Sequence, residues 1–423
     1  MLKKHFPQSE FYKNVLTLLT GTVLAQIIPF LVSPLLSRLY TPQDFGLFSI
    51  IMALTGILSV VVCGRYEQSI ILPEKDETAF SIIAIAFRFA LVTTIIVSLI
   101  LLFFSSKISI LLNIQQSSFW LFFVPLLMLF IGVQQCFNYW LIRKKSFKEI
   151  SINKIVQTTS IALVSLILGV LSISSGLIIG YIIGWILLLI FSYYQALKIG
   201  YSPQKTSSEL RILSFKKYSD FPLYNTFPAL LNAIASSLPI FYISHFYNQT
   251  ETGYYNYTRL IIFVPLSLIA MSISQVYSER IASKARKHET IKSELKNIFI
   301  ILLSLSIFFA VIVFCFGPFL FEFVFGEAWK TSGEYARILI FGYAIHFIVT
   351  PLSSILIALN KVKLASLWPI IYFSLIILLS FYKEAPINKF IILLTVIEFV
   401  SYFIYGFMIC WSIREYERKL KLF

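Results

Sequence analysis

Apolar stretches of about 20 residues, the length that carries a helix across a bilayer core, recur twelve times along this 423-residue chain. They predict helices at roughly 13–38, 45–70, 79–104, 117–142, 151–173, 176–197, 220–246, 254–279, 296–322, 333–359, 363–382 and 387–411. Turn signals separate many of them: Thr41-Pro42 ahead of Asp44, Pro73, the Ser-rich segment from Ser172 to Gly176, and Pro386. The first run, Val15 to Leu36, follows Lys3 and Lys4 in the manner of a secretion leader, but it is too long for a cleaved core and reads as the first helix. No loop is long enough for a separate soluble domain. The longest polar stretch, about 198–219, contains Glu209 to Lys217 and reads equally as an amphipathic surface helix or as a basic linker.

Composition agrees with a lipid-facing exterior. Only 13% of residues are charged and 58% are hydrophobic, whereas a soluble domain carries roughly 25% charge. The net charge of +15 reads as basic loops beside anionic headgroups rather than as a nucleic-acid surface. With the N-terminus inside, 27 of the 35 Lys and Arg fall on inner segments and seven on outer ones, leaving Arg88 within a helix. That bias predicts a multi-pass protein with both termini cytoplasmic. Cys63, Cys136, Cys315 and Cys410 are scattered through apolar segments and read as buried residues, and neither a metal site nor a cofactor is predicted.

The second half echoes the first at an offset of 207 residues. Tyr40, Asp44 and Gly46 align with Tyr247, Glu251 and Gly253, an aromatic follows in each, and Arg38 aligns with His245. Six spans per repeat would make both halves begin on the same side, related by an axis along the membrane normal, with a cavity between them. The expected organisation is a six-helix lobe at 1–200, a basic linker at 201–219 and a second six-helix lobe at 220–423.

Ionisable residues inside a membrane cost about 2.5–3.5 kcal/mol on insertion scales and so face a cavity or a partner. Arg88 is the deepest candidate, about 14 Å into the third predicted helix at 1.5 Å per residue. Arg38, Arg65 and Arg259 lie near helix ends, where snorkelling to headgroups competes with a binding role. Asp220 begins the seventh predicted helix, and Glu398 sits near the middle of the twelfth. His346 reads as a satisfied packing residue. Arginines in a cavity favour an anionic passenger, because guanidinium stays charged and grips phosphate bidentately.

The stretches Arg38-Leu-Tyr-Thr-Pro-Gln-Asp-Phe-Gly-Leu-Phe48, Gly64-Arg-Tyr-Glu-Gln-Ser-Ile-Ile-Leu-Pro73 and Glu251-Thr-Gly-Tyr-Tyr-Asn-Tyr257 give the chain a family resemblance. It resembles bacterial polysaccharide biosynthesis proteins, the O-antigen and capsule repeat-unit flippases of the multidrug/oligosaccharidyl-lipid/polysaccharide exporter superfamily. The resemblance implies an all-α integral membrane fold of about 12 helices in two lobes around a central cavity, like the MATE exporters, and no enzymatic activity. It implies a bacterial inner-membrane location and a cargo of undecaprenyl-pyrophosphate-linked oligosaccharide moved from inner to outer leaflet. Membrane lipid is an implied partner, as are a polysaccharide polymerase and a chain-length regulator. On this reading Arg88, Arg38, Arg259 and Arg65 would hold the pyrophosphate, and Glu398, Asp220 and His245 would be coupling groups or charge partners. A cation-coupled multidrug exporter of the same fold is the competing reading. A membrane polysaccharide polymerase is a third, disfavoured by the short outer loops.

Overall fold

The computed structural model describes residues 6–202, 206–287, 289–359 and 361–420, with side chains described from Thr20 onward except at scattered positions between 272 and 293 and at 357, 362 and 363. The described residues form fifteen α-helices joined by short 3-10 and π turns, with no strand. In order they are α1 (Phe6–Leu39), α2 (Pro42–Val61), α3 (Asp76–Leu111), α4 (Val124–Arg143), α5 (Phe147–Val170), α6 (Gly176–Lys198), α7 (Ser208–Lys217) and α8 (Thr226–Phe246). Then follow α9 (Gln249–Thr258), α10 (Val264–Arg286), α11 (Lys292–Phe325), α12 (Lys330–Leu352), α13 (Ser354–Ala358), α14 (Val362–Ile377) and α15 (Ile387–Leu420).

Eleven helices among the described residues are long and apolar enough to span a membrane. They account for every predicted stretch but 254–279, which is nevertheless helical, running through α9, a π turn at Arg259–Phe263, and α10. Several side chains of that segment, Glu279 among them, lie outside the described ones. The apolar exterior is extensive: Phe103, Phe323 and Phe381 are each more than 70% exposed. Such a surface is at home against hydrocarbon rather than water.

Chain contacts divide the protein into two compact units, Met1–Ala233 and Ile234–Phe423, the division falling inside α8. In the N-terminal unit α5 packs on α1 and α6, while α4 packs against α2, α3 and α6. An aromatic interior forms there, with Trp140 and Tyr66 fully buried and Phe80 packed against Trp140 and Tyr201. In the C-terminal unit α12 is the hub, packed against α9, α10, α11 and α15. Gly333 makes its closest crossing possible: a Cβ there would lie 2.5 Å from Pro318 Cα and 2.7 Å from Gly317 O.

Three expectations change. The second predicted helix, carried to residue 70, stops at Val61, because Gly64 and Arg65 both adopt positive φ (58° and 60°) and turn the chain into a 3-10 helix, Tyr66–Ile71. The stretch at 208–217 is a helix, capped by Ser207, whose side chain accepts from the Leu210 amide. Its Phe215 carbonyl accepts from Tyr66 Oη, and the Phe215 ring stacks on Tyr66 and Phe89, which ties α7 to the N-terminal unit. Burial of the cysteines holds for Cys63 and Cys136, whose sulfurs are 3.9 Å apart, but Cys315 and Cys410 are exposed. Apolar outward faces of membrane helices suit a thiol as well as a core does.

The sequence echo has a structural meaning. Thr41 caps α2, its hydroxyl accepting from the Asp44 amide, and the Asp44 carboxylate accepts from the Thr41 amide in return. The residues 207 further on do the same work: Asn248 caps α9 by accepting from the Glu251 amide. The tyrosine before each cap also acts alike. Tyr40 Oη donates to Ser165 O and Tyr247 Oη to Ala385 O, both at 2.6 Å.

Candidate functional site

Among the described residues each unit buries one glutamate, in contrasting settings. In the N-terminal unit the left-handed turn at Gly64 and Arg65 lays Glu67 into the interior at the start of the 3-10 helix. Its side chain is 3% exposed, and Oε1 lies 3.8 Å from Arg65 Nη1. Neither Oε2 nor Arg65 Nε has a hydrogen-bond partner. Burial pushes the Glu67 carboxyl from 4.5 up to about 7, against the opposing pull of its own backbone amide and of Arg65. The neighbouring connection is pinned by charge: Arg143 at the end of α4 donates to the Asp76 carboxylate and to the carbonyls of Pro73 and Glu74, and Lys144 pairs with Asp76.

In the C-terminal unit the buried acid is Glu398, in the body of α15 and 9% exposed. Gly342 on α12 leaves the room it occupies, since a Cβ there would lie 2.8 Å from Glu398 Oε2. Glu398 makes no hydrogen bond or ion pair among the described residues. Its electrostatic counterpart is Arg259 in the π turn, whose guanidinium also lies 5.5 Å from the Phe263 ring. A π turn inserts one extra residue into the helix and is a recurrent feature of functional sites.

Aromatic hydroxyls fill the space around this pair. Arg259 and Glu398 both act electrostatically on Tyr255, Tyr343, Tyr372 and Tyr402. His346 is clamped between the rings of Phe263 (4.7 Å) and Tyr402 (4.6 Å). Trp368 stacks with Tyr372 and Tyr405. His346 Nδ1 and Trp368 Nε1 are buried without hydrogen-bond partners. His346 is therefore not the satisfied packing residue that its isolation in the sequence implied. Unpaired buried polar atoms around an unpaired acid make a cluster that can accept a proton, a cation or a polar group of a passenger.

The other expected site residues are not drawn together. Arg38 at the end of α1, Arg88 in α3, Asp220 ahead of the π turn Phe221–Asn225, and His245 near the end of α8 are each exposed on their own unit. None makes an ion pair among the described residues. The α3 helix begins at Asp76, so Arg88 lies about 18 Å along it at 1.5 Å per residue, well inside the span. A guanidinium exposed at that depth needs an aqueous or anionic neighbour rather than lipid. Sequence reasoning singled out Glu398, Arg259 and Arg65 and passed over His346 as a packing residue. It missed the tyrosines and Gly342, although Tyr255 and Arg259, and likewise Glu398 and Tyr402, stand four apart on one helical face.

Comparison with curated proteins finds no match. Among solved structures the chain is similar to an inward-facing multidrug resistance MATE family transporter of the MOP superfamily, with TM-score 0.70, 12% identity, and coverage of 95% of this chain and 96% of that one. It is similar to the lipid II flippase MurJ in an inward closed conformation, with TM-score 0.75, 14% identity, and coverage of 95% and 89%. It also resembles the Vibrio cholerae MATE transporter VcmN in its bent form, with TM-score 0.59, 13% identity, and coverage of 96% and 97%. At such identities these likenesses establish the fold, that of a multi-pass membrane transporter. A family model described as polysaccharide biosynthesis protein matches residues 35–334, and the chain belongs to that family.

Proposed function

We propose that the protein is a flippase that moves undecaprenyl-pyrophosphate-linked oligosaccharide repeat units, of O-antigen or capsule, from the inner to the outer leaflet of the bacterial inner membrane. The observation that carries this reading is membership of a polysaccharide biosynthesis family on a transporter fold. On this reading the two units are the lobes of an alternating-access carrier, with both termini cytoplasmic. The exposed guanidiniums of Arg88 and Arg38 and the mostly buried Arg65 meet the pyrophosphate. The Arg259–Glu398 cluster is the coupling element, because a carboxylate without a direct partner changes its energy whenever the helices around it shift. A polymerase and a chain-length regulator then act on the delivered unit. The buried Glu398 also favours a second reading, a cation-coupled multidrug exporter.

A strain that depends on this protein for its surface polymer separates the readings. Without the gene, lipid-linked repeat units are expected to accumulate on the cytoplasmic face, and Arg88→Ala and Glu398→Gln at wild-type protein level are expected to reduce surface polymer. Repeat units reaching the outer face in the deletion strain, with no other flippase present, would sink the assignment. Loss of resistance to cationic drugs, with normal polymer, would establish the exporter instead.

A further inference from the structure

The C-terminal unit carries a second constellation, apart from the Glu398 cluster. Where α12 packs against both α11 and α15, a groove of about 810 Å³ opens, walled by Phe314 and Cys315 of α11, Phe341 of α12, and Val396 and Phe399 of α15. Its lining is mostly apolar, the Thr395 hydroxyl being engaged with Ile391 O of its own helix, and at one end Glu334 and Arg337 enter it from the same face of α12, three residues apart. Both are exposed, and neither makes an ion pair among the described residues.

Arg337 is held in place by the backbone. Pro318 in α11 has no N–H to offer, which leaves the carbonyl four residues earlier, that of Phe314, without its helical partner. Arg337 Nε donates to that oxygen at 2.9 Å, and Nη2 donates to Cys315 O at 3.2 Å. A guanidinium carries five N–H groups, so three remain to point into the groove from a fixed position.

The order of groups along the helix axes is the informative part. Glu334 lies four residues into α12 and Arg337 seven, so at 1.5 Å per residue they stand about 6 Å and about 10 Å below the start of the helix. Phe341, whose ring meets Phe314 edge-on at 5.6 Å, and Phe399, twelve residues into α15, lie deeper, at about 16–18 Å. From the surface inward the groove therefore presents a carboxylate, a guanidinium and an apolar slot. A zwitterionic phospholipid presents the complement in the same order: an ammonium outermost, a phosphate beneath it, and acyl chains below.

We propose that this groove is a binding site for an amine-headgroup glycerophospholipid of the phosphatidylethanolamine class. Arg337 donates to the phosphate, Glu334 accepts from the ammonium, and one acyl chain lies between α11 and α15. Phosphatidylglycerol would satisfy Arg337 with the same phosphate but offer Glu334 only an uncharged glycerol in place of the ammonium, so the pair selects for the zwitterion. The inference stands independently of the cargo assigned above.

Cys315 in the groove wall provides the readout. In a Cys410→Ser background the full-length protein retains Cys315 as its accessible thiol, because Cys63 and Cys136 are buried. Its alkylation by N-ethylmaleimide is followed in detergent micelles containing dioleoyl phosphatidylethanolamine, dioleoyl phosphatidylglycerol, undecaprenyl phosphate or inorganic phosphate. Phosphatidylethanolamine is expected to protect Cys315 at a concentration about tenfold lower than phosphatidylglycerol, the size of one charge-assisted hydrogen bond. Glu334→Gln is expected to erase that preference while leaving Arg337's backbone bonds intact, and Arg337→Gln to weaken protection by both lipids. An unchanged alkylation rate in lipid-free micelles certifies that each variant is folded. Equal protection by both bilayer lipids in the wild type overturns the proposal in favour of a non-selective annular contact. Stronger protection by undecaprenyl phosphate, or protection by inorganic phosphate alone, overturns it in favour of a prenyl-phosphate or simple anion site.

Discussion

In the N-terminal unit the buried carboxylate, Glu67, sits in a connection two residues from its cation, Arg65, at 3.8 Å. In the C-terminal unit the buried carboxylate, Glu398, sits in the body of a span, and the cation that acts on it belongs to a π turn distant in the sequence. The first pair is assembled by a local turn and survives any rearrangement that keeps the turn. The second is assembled only by the packing of α9, α12, α14 and α15, so its energy reports how those helices are arranged. A transport cycle needs a group of the second kind. On the proposed function the same chemistry would serve as a latch in one unit and as a sensor in the other, with sequence separation between partners telling them apart.

Helix crossings sharpen the contrast and carry the largest expected effect. Added to Gly184 on α6, a Cβ would meet the Ile161 side chain, which must shift off its preferred rotamer; added to Gly333 on α12, it would meet the backbone of Pro318 and Gly317. Gly333→Ala is expected to cost about 3 kcal/mol and Gly184→Ala about 1 kcal/mol, the upper and lower ends of the overpacking range. Thermal unfolding in detergent measures both, and equal losses would show that the α11–α12 crossing is no tighter than its neighbours.

Glu67 supplies the next largest effect. Its carboxyl titrates at about 7 instead of 4.5 because burial disfavours the charge, a difference corresponding to about 3 kcal/mol. The folded protein holds this proton more tightly than the unfolded chain does. The stabilisation is therefore complete below pH 4.5 and is lost as pH rises towards 7. Glu67→Gln is expected to remove that slope, so that wild type loses up to about 3 kcal/mol relative to the variant between pH 4.5 and 7. Parallel stability curves for the two proteins would mean that Glu67 is solvated.

The Arg259–Glu398 pair tests the sensor half of the contrast. Arg259→Gln leaves a buried acid without its counter-charge, whereas Glu398→Gln removes the acid itself. A double-mutant cycle on stability is expected to give a coupling of about 1–2 kcal/mol. Transport is expected to fall with Glu398→Gln and to persist with Glu67→Gln. A coupling near zero, or transport lost equally in both glutamine variants, would erase the distinction between the two acids.

Much of this was legible in the sequence, and the gaps have physical causes. The spans follow from runs of apolar residues, and the 207-residue echo at Tyr40 and Tyr247 marks a pair of capped helices because cap residues are local in sequence. Where α2 stops was not legible, since an arginine in the left-handed region at Arg65 has no strong sequence signal. Glu398, Arg259 and His346 stood out as ionisable residues in apolar surroundings. The tyrosines around them did not, because a tyrosine in a membrane helix has the same composition signature whether it serves an interfacial belt or an internal cluster. Only packing between helices far apart in the chain distinguishes the two.

The smallest expected effect lies where the two halves are most alike. Thr41 and Asp44 satisfy each other's amides in a reciprocal capping box, while Asn248 accepts from the Glu251 amide alone. Glu251 is engaged elsewhere, accepting from Tyr335 Oη. Removing Thr41 therefore strips a reciprocal pair, and removing Asn248 strips a single bond. Thr41→Ala is expected to cost about 1–1.5 kcal/mol and Asn248→Ala about half that, within the usual span for helix caps. Hydrogen exchange at the first-turn amides of α2 and α9 would resolve the difference locally, where a global melt would blur it. A larger loss at Asn248 would mean that the C-terminal copy of the cap, with its acid committed to Tyr335, is the one that anchors its unit.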